Sequence, residues 1–342
     1  MSPVRRKFLL PLALLLLLTG CTAGGAAPET SRYAPEDVQR LVIYTSHKEE
    51  IYWPIIQEFE QRTGIWVDVV TGGTNELLER IEREKNAPAA DVMFGGGVES
   101  LGSYQDCFTP YTSSQAQYIQ ERFRDEEGLW TPFSALPVVL IYNTKLVEPE
   151  QITGWSDLLS PDFQGRIAFA DPGVSGSCFT GLVTLMYAVE GEDALQRFAE
   201  NLDGRQLDDS GDVLTSVAGG TDLVGITLEG SALQRMAAGD DIALVYPADG
   251  TSCVPDASAL LKGAPHEDNA RLFLDFTVSR DAQELLAAQF YRRPVRSDVE
   301  PGLELTGLSD FPLIDYDADW ASDQRQAILM TWAFYLGGEG LP

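Results

Sequence analysis

Two hydroxyl side chains and a glycine, Ser175-Gly176-Ser177, have the residue types and the setting that suit the binding of an anion. They follow an apolar run at 167–170, typical of a buried strand, and precede apolar residues at helical spacing over 179–186. At the start of a helix, unpaired backbone N–H groups and the helix dipole attract negative charge. Taken alone, the segment favours a simpler role in which Ser175 or Ser177 only caps the helix, whereas the rest of the chain favours the anion.

Three further predicted strands, near the N-terminus, also end in small or polar residues. The strands cover 41–45, 65–70 and 90–94, and the residues that follow them are Ser46-His47, Gly72 to Asn75 and Gly95 to Gly97. Helices predicted at 51–62 and 76–85 alternate with these strands, which indicates an α/β fold with a mainly parallel sheet. Ligands of such open sheets bind beyond the carboxyl ends of the strands, so we expect a shared binding edge.

The remaining predicted elements continue the alternation of strands and helices. Strands are predicted at 138–142, 224–227 and 242–246, and helices at 155–159, 194–202, 231–238, 266–279, 281–289 and 317–335. A chain of 342 residues, of which 44% are apolar, is long enough to form two domains or two lobes.

The first 20 residues have the composition of a leader that is removed from the mature protein. A basic start at Arg5-Arg6-Lys7 precedes an apolar run, 8–18, that is too short to span a bilayer permanently. The segment Leu18-Thr19-Gly20-Cys21 resembles a bacterial lipobox, which implies cleavage before Cys21, lipid on Cys21 and an extracytoplasmic, membrane-anchored protein. An ordinary secretory signal with a chance cysteine is the alternative. Residues 21–39 are mostly small and polar and predict a flexible tether.

The charge balance excludes several classes of partner. Removal of residues 1–20 would remove three of the 24 basic residues and none of the 52 acidic ones, which leaves a net charge of −31. A surface of this acidity argues against nucleic acid and anionic lipid as partners. It remains compatible with a small anion that binds in a locally positive cleft.

Three cysteines remain after Cys21, and their number is odd, so at least one thiol is free. Cys178 and Cys253 both follow small-residue turns, and a disulfide between them is one interpretation. The other interpretation is that all three, with Cys107, are inert buried thiols.

Seven segments, in order along residues 40–300, resemble the extracellular solute-binding proteins of ABC importers, in particular the type that binds ferric iron or sugar phosphates. They read LVIYTSHKE at 41–49, GGTNELL at 72–78, DVMFGGG at 91–97, ADP with SGS at 170–177, VYPADGT at 245–251, VPD with ALLKGA at 254–264 and RRPVRSDV at 292–299. Each match is short, and it is their order along the chain that identifies the family.

The resemblance implies a two-lobe, type II periplasmic-binding-protein-like fold with a ligand cleft between the lobes. We expect crossings near 133–139 and 246–252, a first lobe of 40–135 and 250–310, a second lobe of 136–249, and a C-terminal helical segment, 311–342, of unassigned lobe. Closure of the lobes would bury the solute and signal an ABC permease with its ATPase. The protein is expected to be a monomer without a cofactor.

Iron binders of this type use paired tyrosines, often with a histidine and a carboxylate. His47 matches the position of the family's histidine, but the expected tyrosine position reads Thr227-Leu228-Glu229-Gly230, and the chain contains no adjacent tyrosines. The missing anionic oxygen ligands weaken the iron hypothesis. His47 and Glu229 remain candidates for another metal, and His47 is equally explained as a polar loop residue.

The anion hypothesis uses three predicted helix N-termini that converge on the cleft, at Gly73-Thr74, Ser175-Gly176-Ser177 and Gly250-Thr251-Ser252. Arg292 or Arg293 can add a guanidinium, although either can equally pair with a surface acid. Trp130 flanks a crossing, where it either covers the solute or packs in the core. The residues predicted to contact the solute are Ser46, His47, Gly73, Thr74, Asn75, Gly96, Ser134, Ser175, Gly176, Ser177, Thr227, Glu229, Gly250, Thr251 and Arg292.

A serine hydrolase is the alternative from a different class. Gly173 to Ser177 is similar to a nucleophile elbow, but its last residue is serine where the motif has glycine. Of the two histidines, only His47 is predicted near Ser175, and His266 is predicted to be solvated at a helix start. Metal-ligand motifs such as CxxC and HExxH do not occur in the sequence. We therefore favour binding over catalysis, and expect the protein not to be an enzyme.

Overall fold

The structure of the protein is a computed structural model that describes residues 34–191 and 193–337. The predicted leader 1–20, the predicted lipidation site Cys21 and most of the predicted tether 21–39 lie outside the described residues. Contacts divide the chain after Glu36, and all strands and helices of the described residues lie in the unit that begins at Asp37. No helix in the described ranges is both long enough and apolar enough to cross a membrane.

Nine strands and eleven α-helices are present in the described residues. The strands are β1 (Arg40–Thr45), β2 (Trp66–Thr71), β3 (Val92–Gly97), β4 (Thr131–Asn143), β5 (Ile167–Ala168), β6 (Val224–Leu228), β7 (Ile242–Val245), β8 (Cys253–Leu260) and β9 (Arg293–Pro294). The helices are α1 (Glu49–Thr63), α2 (Thr74–Glu84), α3 (Val98–Gly102), α4 (Gly176–Ala188), α5 (Ala194–Asn201), α6 (Ser210–Ala218), α7 (Glu229–Ala237), α8 (Glu267–Thr277), α9 (Arg280–Gln289), α10 (Ala318–Asp323) and α11 (Arg325–Tyr335). The α/β class is confirmed.

Strand β4 joins the two ends of one continuous sheet, whose order is β2-β1-β3-β8-β4-β6-β5. Its residues 131–137 pair with β8, and its residues 138–143 pair with β6 and β7. The chain therefore crosses from one part of the fold to the other within β4, inside the predicted crossing at 133–139.

The prediction of a mainly parallel sheet is wrong. β1 is parallel to β2 and β3, and β5 is parallel to β6, but β8 and β4 are antiparallel to their neighbours. The reason is that β4 and β8 run in opposite directions between the two ends of the sheet. The parallel group β1–β3 still places three carboxyl ends at one edge, as the sequence predicts.

Separate hydrophobic cores define two lobes. The first lobe is built on β1–β3 and on helices α1, α8 and α9, with Phe59, Phe94 and Phe273 at its centre. The second lobe is built on β5–β7 and helices α4–α7, and its core contains Phe169 and Phe198. The predicted lobe boundaries, 40–135 with 250–310 for the first lobe and 136–249 for the second, remain a proposal.

The C-terminal helices contact both lobes. Trp332 of α11 packs against Phe169 and Phe198 in the second core. In α10, the backbone oxygen of Ser322 accepts a hydrogen bond of 3.2 Å from the hydroxyl of Ser103, directly after α3. The segment therefore packs into the second core and reaches the first lobe as well.

Two elements near the cleft were missed by the sequence analysis. Strand β8 contains Pro255 and Asp256, two residue types that are rare in strands, and helix α6 starts with the weak helix formers Ser210 and Gly211. The predicted helix N-terminus at 250–252 is wrong, because these residues lead directly into β8.

Candidate functional site

A cavity of about 440 Å³ lies between the lobes. The first lobe contributes the residues that follow β1 and β2 and the last residues of β3, and the second lobe contributes the N-termini of α4 and α6. This volume is within the range of pockets that bind small organic molecules. The edge predicted from the three strand ends is therefore the edge that borders the cavity.

Two helix N-termini from different lobes meet at the cavity. Helix α2 begins at Thr74, helix α4 begins at Gly176, and both residues line the cavity. A Cβ atom on Gly176 would lie 3.2 Å from the Thr74 Oγ1 atom, so the two helix starts are nearly in contact. Their dipoles and unpaired N–H groups make this end of the cavity favourable for negative charge.

The two serines at the start of α4 have different hydrogen bonds. Ser175 Oγ accepts a bond of 3.3 Å from the Cys178 backbone N–H, so the predicted capping role of Ser175 is confirmed. Ser177 Oγ lies 3.1 Å from Ser175 Oγ, and both residues line the cavity. Capping by Ser175 thus leaves the Ser177 hydroxyl at the cavity wall.

A buried cluster centred on Asp256 supports the first-lobe side of the cavity. The Asp256 carboxylate lies 2.6 Å from His47 Nε2, and it accepts bonds of 2.8 Å from Arg292 and 2.6 Å from the Ser134 hydroxyl. Burial raises the pKa of Asp256, but Arg292 and His47 outweigh burial and bring the pKa down to about 2. The carboxylate is therefore ionised and holds His47 and Arg292 in position at the cavity.

His47 is a buried residue, not a polar loop residue with local hydrogen bonds only. Its ring packs edge-on against Phe94, with 4.5 Å between ring centroids, and it also contacts Phe133. Burial lowers the pKa of His47, since the Asp256 carboxylate only partly opposes that effect. The imidazole is thus neutral at pH 7, with Nε2–H donated to Asp256.

Arg293 and Glu229 form a second buried ion pair. Arg293 donates two hydrogen bonds, of 2.6 and 2.7 Å, to the Glu229 carboxylate, which also accepts a bond of 2.5 Å from the Tyr246 hydroxyl. Neither Arg293 nor Glu229 lines the cavity. Glu229 is therefore engaged by Arg293 and lies outside the cavity lining, and its contact with a solute stays a prediction. The alternative that the arginines pair with surface acids is wrong, because both Arg292 and Arg293 pair with buried carboxylates.

Nine of the fifteen predicted contact residues line the cavity. These are Ser46, His47, Gly73, Thr74, Gly96, Ser175, Gly176, Ser177 and Arg292. The other six, Asn75, Ser134, Thr227, Glu229, Gly250 and Thr251, do not line it.

The six residues outside the cavity have other surroundings. The Asn75 amide donates to the Gly173 carbonyl across the cleft, and Ser134 donates to Asp256. The Thr251 hydroxyl donates a bond of 2.6 Å to the Val138 carbonyl, and Gly250 precedes it in a turn instead of a helix start. Thr227 is buried within β6.

Several charged residues at the cavity were not predicted from the sequence. They are Lys48, Glu50, Asp208, Asp209, Arg235 and Asp256. Lys48 Nζ lies 3.2 Å from Asp209 Oδ1, and this ion pair connects the two lobes at the cavity. Lys48 directly follows His47, which was predicted to contact the solute, so its position in the sequence could have predicted that it lies at the cavity. Asp209 is the N-cap of the missed helix α6, and nothing in the sequence marked it.

Two further sequence predictions concern the cysteines and His266, which lie in the described residues. Cys107, Cys178 and Cys253 are all free thiols, so no disulfide joins Cys178 to Cys253. The prediction that His266 is solvated is wrong, because its side chain is only 11% exposed and its Nδ1 atom lies 2.9 Å from Asp91. The Asp91 carboxylate also accepts the His266 backbone N–H at the start of α8, which explains its burial.

The donor sets at the cavity limit the chemistry that they support. Within the described residues, no cluster of three His, Cys, Asp or Glu side chains has a geometry suited to a metal ion. In the same part of the chain, no serine hydroxyl is hydrogen-bonded to a histidine ring, as a Ser-His pair would require. The arrangement is suited to non-covalent binding.

Comparisons with known proteins agree with the resemblance found in the sequence. A family model described as bacterial extracellular solute-binding protein matches residues 89–323. An uncharacterised protein of Haemophilus influenzae is 27% identical over 345 residues, which cover 95% of this chain and 96% of its own. Iron uptake protein A1 of Synechocystis is 25% identical over 313 residues, which cover 86% of each chain.

A solved structure is similar over most of the chain. The periplasmic binding protein AfuA from Actinobacillus pleuropneumoniae, with exogenous fructose-6-phosphate bound, superposes with a TM-score of 0.81 at 25% identity. The superposition covers 87% of this chain and 98% of AfuA. It confirms the two-lobe, type II periplasmic-binding-protein-like fold. Because the family match covers more than half of the sequence, the chain belongs to the bacterial extracellular solute-binding protein family.

Proposed function

We propose that this protein captures a small anionic solute, of the sugar phosphate, organophosphate or phosphonate type, for an ABC importer. The observation that carries the proposal is the meeting of two helix N-termini, at Thr74 and Gly176, from opposite lobes at one cavity. A phosphate group placed there would accept hydrogen bonds from both helices at once. Binding would therefore favour the closed form of the protein.

The side chains around the two helix starts support the same solute class. Thr74 and Ser177 bring hydroxyl donors, and Arg292 brings a guanidinium whose position is held by Asp256. Hydrogen bonds to an ionised oxygen are about twice as strong as bonds between neutral groups. A cavity of about 440 Å³ also leaves room for an organic body attached to the anionic group.

Iron binding is the second candidate. Iron uptake protein A1 is one of the similar proteins, and one ring N–H of His47 donates a hydrogen bond to the Asp256 carboxylate, as metal-binding histidines usually do with the nitrogen that does not bind the metal. Against this candidate, no tyrosine lines the described cavity, and Glu229 is bound to Arg293. Ferric iron prefers several anionic oxygen ligands, which this cavity does not bring together.

The proposed route of transport places the protein outside the cytoplasm. Lipid on Cys21 would anchor it to the membrane, and residues 21–39 would act as the tether between lipid and lobes. The closed, loaded protein would present both lobes to the permease, and the ATPase would drive import. No covalent step is part of this proposal, so the protein is proposed to be a carrier and not an enzyme.

Native mass spectrometry of the protein, purified without chelator, distinguishes the two solutes. A retained organic anion that contains phosphorus supports the proposal, and a retained iron ion contradicts it. If the purified protein retains no ligand, it is titrated by calorimetry with fructose 6-phosphate and, in parallel, with ferric citrate. Heat from fructose 6-phosphate binding supports the anion, whereas heat from ferric citrate alone supports iron.

A variant pair tests the role of the cavity hydroxyls in the same titration. Ser177→Ala removes a donor at the cavity wall and is expected to weaken binding of the anion by about tenfold. Ser309→Ala removes an exposed hydroxyl far along the chain from the cavity residues and serves as the control. Equal affinities for both variants and the wild type would exclude Ser177 from the site.

A further inference from the structure

Glu99 is a buried carboxylate at the contact between the lobes, next to the cavity but not part of its lining. It lies in the first turn of α3 in the first lobe, where it is 0% exposed. Its Oε1 atom accepts a hydrogen bond from the Thr180 hydroxyl, which belongs to α4 of the second lobe. Thr180 lines the cavity, so Glu99 lies directly behind the cavity wall.

The Glu99 carboxylate is incompletely paired where the two lobes are in contact. Its Oε2 atom has no hydrogen-bond partner within the described residues. Arg325, whose charge acts on Glu99, is itself buried, and one of its terminal nitrogens also has no partner in the described part of the chain. A buried charge that lacks partners raises the free energy of the state that buries it.

The surroundings of Glu99 compensate its charge only in part, because the attraction of Arg325 opposes the effect of burial without outweighing it. Arg325 stacks on Phe179, with its guanidinium carbon 4.5 Å from the ring centroid, instead of forming an ion pair with Glu99. Burial lowers the pKa of Arg325 and raises the pKa of Glu99, as expected when neither charge is well solvated. The hydroxyl of Tyr316, which faces both groups, is likewise buried without a partner among the described residues.

Other titratable groups on the neighbouring elements are either already paired or neutral. Asp256 of β8 is held by Arg292 and His47. Tyr104, which follows α3, has a pKa raised by burial and stays neutral at pH 7. Thr180 is thus the donor that the second lobe supplies, and separation of the lobes would remove it and admit water to the carboxylate.

We propose that Glu99 is a positioning residue that sets the balance between the open and closed forms of the protein. Closure moves α4 over the carboxylate and replaces its water with one hydroxyl donor. The charge therefore favours the open form, and a bound solute must overcome this preference. The inference rests on the proposed function in one respect only, namely that the lobes open and close to admit a solute. Because the Glu99 charge favours the open form, the protein releases its solute faster than it would with a neutral residue at this position.

Replacement of the carboxylate by the amide of the same shape tests the inference. Glu99→Gln removes the charge and keeps an oxygen that accepts the Thr180 hydrogen bond. The full chain is compared with Glu99→Gln by small-angle X-ray scattering without solute, and by titration with inorganic phosphate as the probe. We expect a smaller radius of gyration, or a dissociation constant for phosphate that is lower by about tenfold.

The control is Glu82→Gln, which removes the same charge from an exposed side chain of α2. The inference is overturned when Glu99→Gln shows no change in either quantity relative to Glu82→Gln, or when its radius of gyration increases. Thermal unfolding of both variants verifies that they fold. The scattering comparison requires no solute, so a compact Glu99→Gln protein that fails to bind phosphate would contradict the proposed anion and still support the role of Glu99.

Discussion

His47 Nε2 lies 2.6 Å from Asp256 Oδ2 in the floor of the cavity, and the two residues are 209 positions apart in the sequence. The other histidine, His266, lies 2.9 Å from the Asp91 carboxylate. Both histidines thus contact a buried acid, but His47 is enclosed by Phe94 and Phe133, whereas the second ring nitrogen of His266 also lies 3.4 Å from the exposed Asp37. Deeper burial of His47 and the second carboxylate at His266 give the two imidazoles opposite pKa shifts.

The two histidines are expected to titrate on opposite sides of the ordinary value of 6.5. Burial moves the pKa of His47 below that value. Burial also acts to lower the pKa of His266, but Asp91 and Asp37 outweigh it and raise the pKa. Two-dimensional NMR of the imidazole nitrogens over pH 4–9 measures both, with His47→Gln and His266→Gln used to assign the signals. Titration of His47 above His266 would contradict the assignment of burial as the cause.

The opposite shifts predict opposite effects on stability. Since the pKa of His47 is lower in the folded state, its contribution is present above pH 6.5 and is lost as the pH falls below that value. The raised pKa of His266 stabilises the fold below pH 6.5, and this contribution is lost as the pH rises through the folded pKa. Urea unfolding measures the free energy of unfolding at pH 5.5 and at pH 7.5. His47→Gln should make the decrease in this free energy from pH 7.5 to pH 5.5 smaller than in the wild type, whereas His266→Gln should make it larger.

The link between the lobes at Asn75 gives a prediction about closure. Its amide donates a bond of 2.5 Å to the Gly173 carbonyl, and the residue does not line the cavity. Asn75→Ala removes a contact that exists only when the lobes are together, so we expect solute affinity to fall by about fivefold, for a loss of about 1 kcal/mol. Calorimetric titration measures the change in solute affinity, with Gln196→Ala on the exposed face of α5 as the control. An unchanged affinity would mean that the bond persists in the open form.

The turns at the cavity were predictable from sequence because their residue types act locally. A small or polar residue after a strand, as at Ser46, Gly73 and Ser175, marks the end of that strand whatever the rest of the chain does. The parallel arrangement of β1–β3 then brings two of those turns to one edge. Local chemistry and a simple rule of topology therefore sufficed to place these turns at the cavity.

The partners of the buried charges were not predictable in the same way. Asp256 lies in β8, a strand that was not predicted because it contains a proline and an aspartate, which are rare in strands. The contacts of Asp256 with His47 and Ser134 join three segments that are distant in the sequence. Similarly, the adjacent arginines Arg292 and Arg293 point to different acids, since successive residues of an extended chain face opposite sides. Which of the two faces the cavity follows from strand register, and a single sequence does not specify register.

The adjacent arginines provide a prediction that separates stability from binding. Arg293 is buried, pairs with Glu229 through two bonds and does not line the cavity. Arg293→Met leaves the Glu229 carboxylate buried without its cation, so we expect a loss of about 3–5 kcal/mol in the free energy of unfolding. Urea unfolding measures this loss. The double variant Arg293→Met with Glu229→Leu should recover most of it, and failure to recover would show that the loss has another cause.

The approach of the two helix starts predicts different tolerances for two glycines. An added Cβ at Gly176 meets Thr74 Oγ1 at 3.2 Å, so Thr74 must move away by a few tenths of an ångström, whereas one at Gly73 meets Val174 at an ordinary distance of 3.5 Å. Gly176→Ala should therefore weaken solute binding by several fold, while Gly73→Ala, at the same contact, should have little effect. Parallel titrations of the two variants with one solute measure the difference. Equal losses for both would show that the volume of the cavity, and not the contact between α2 and α4, limits closure.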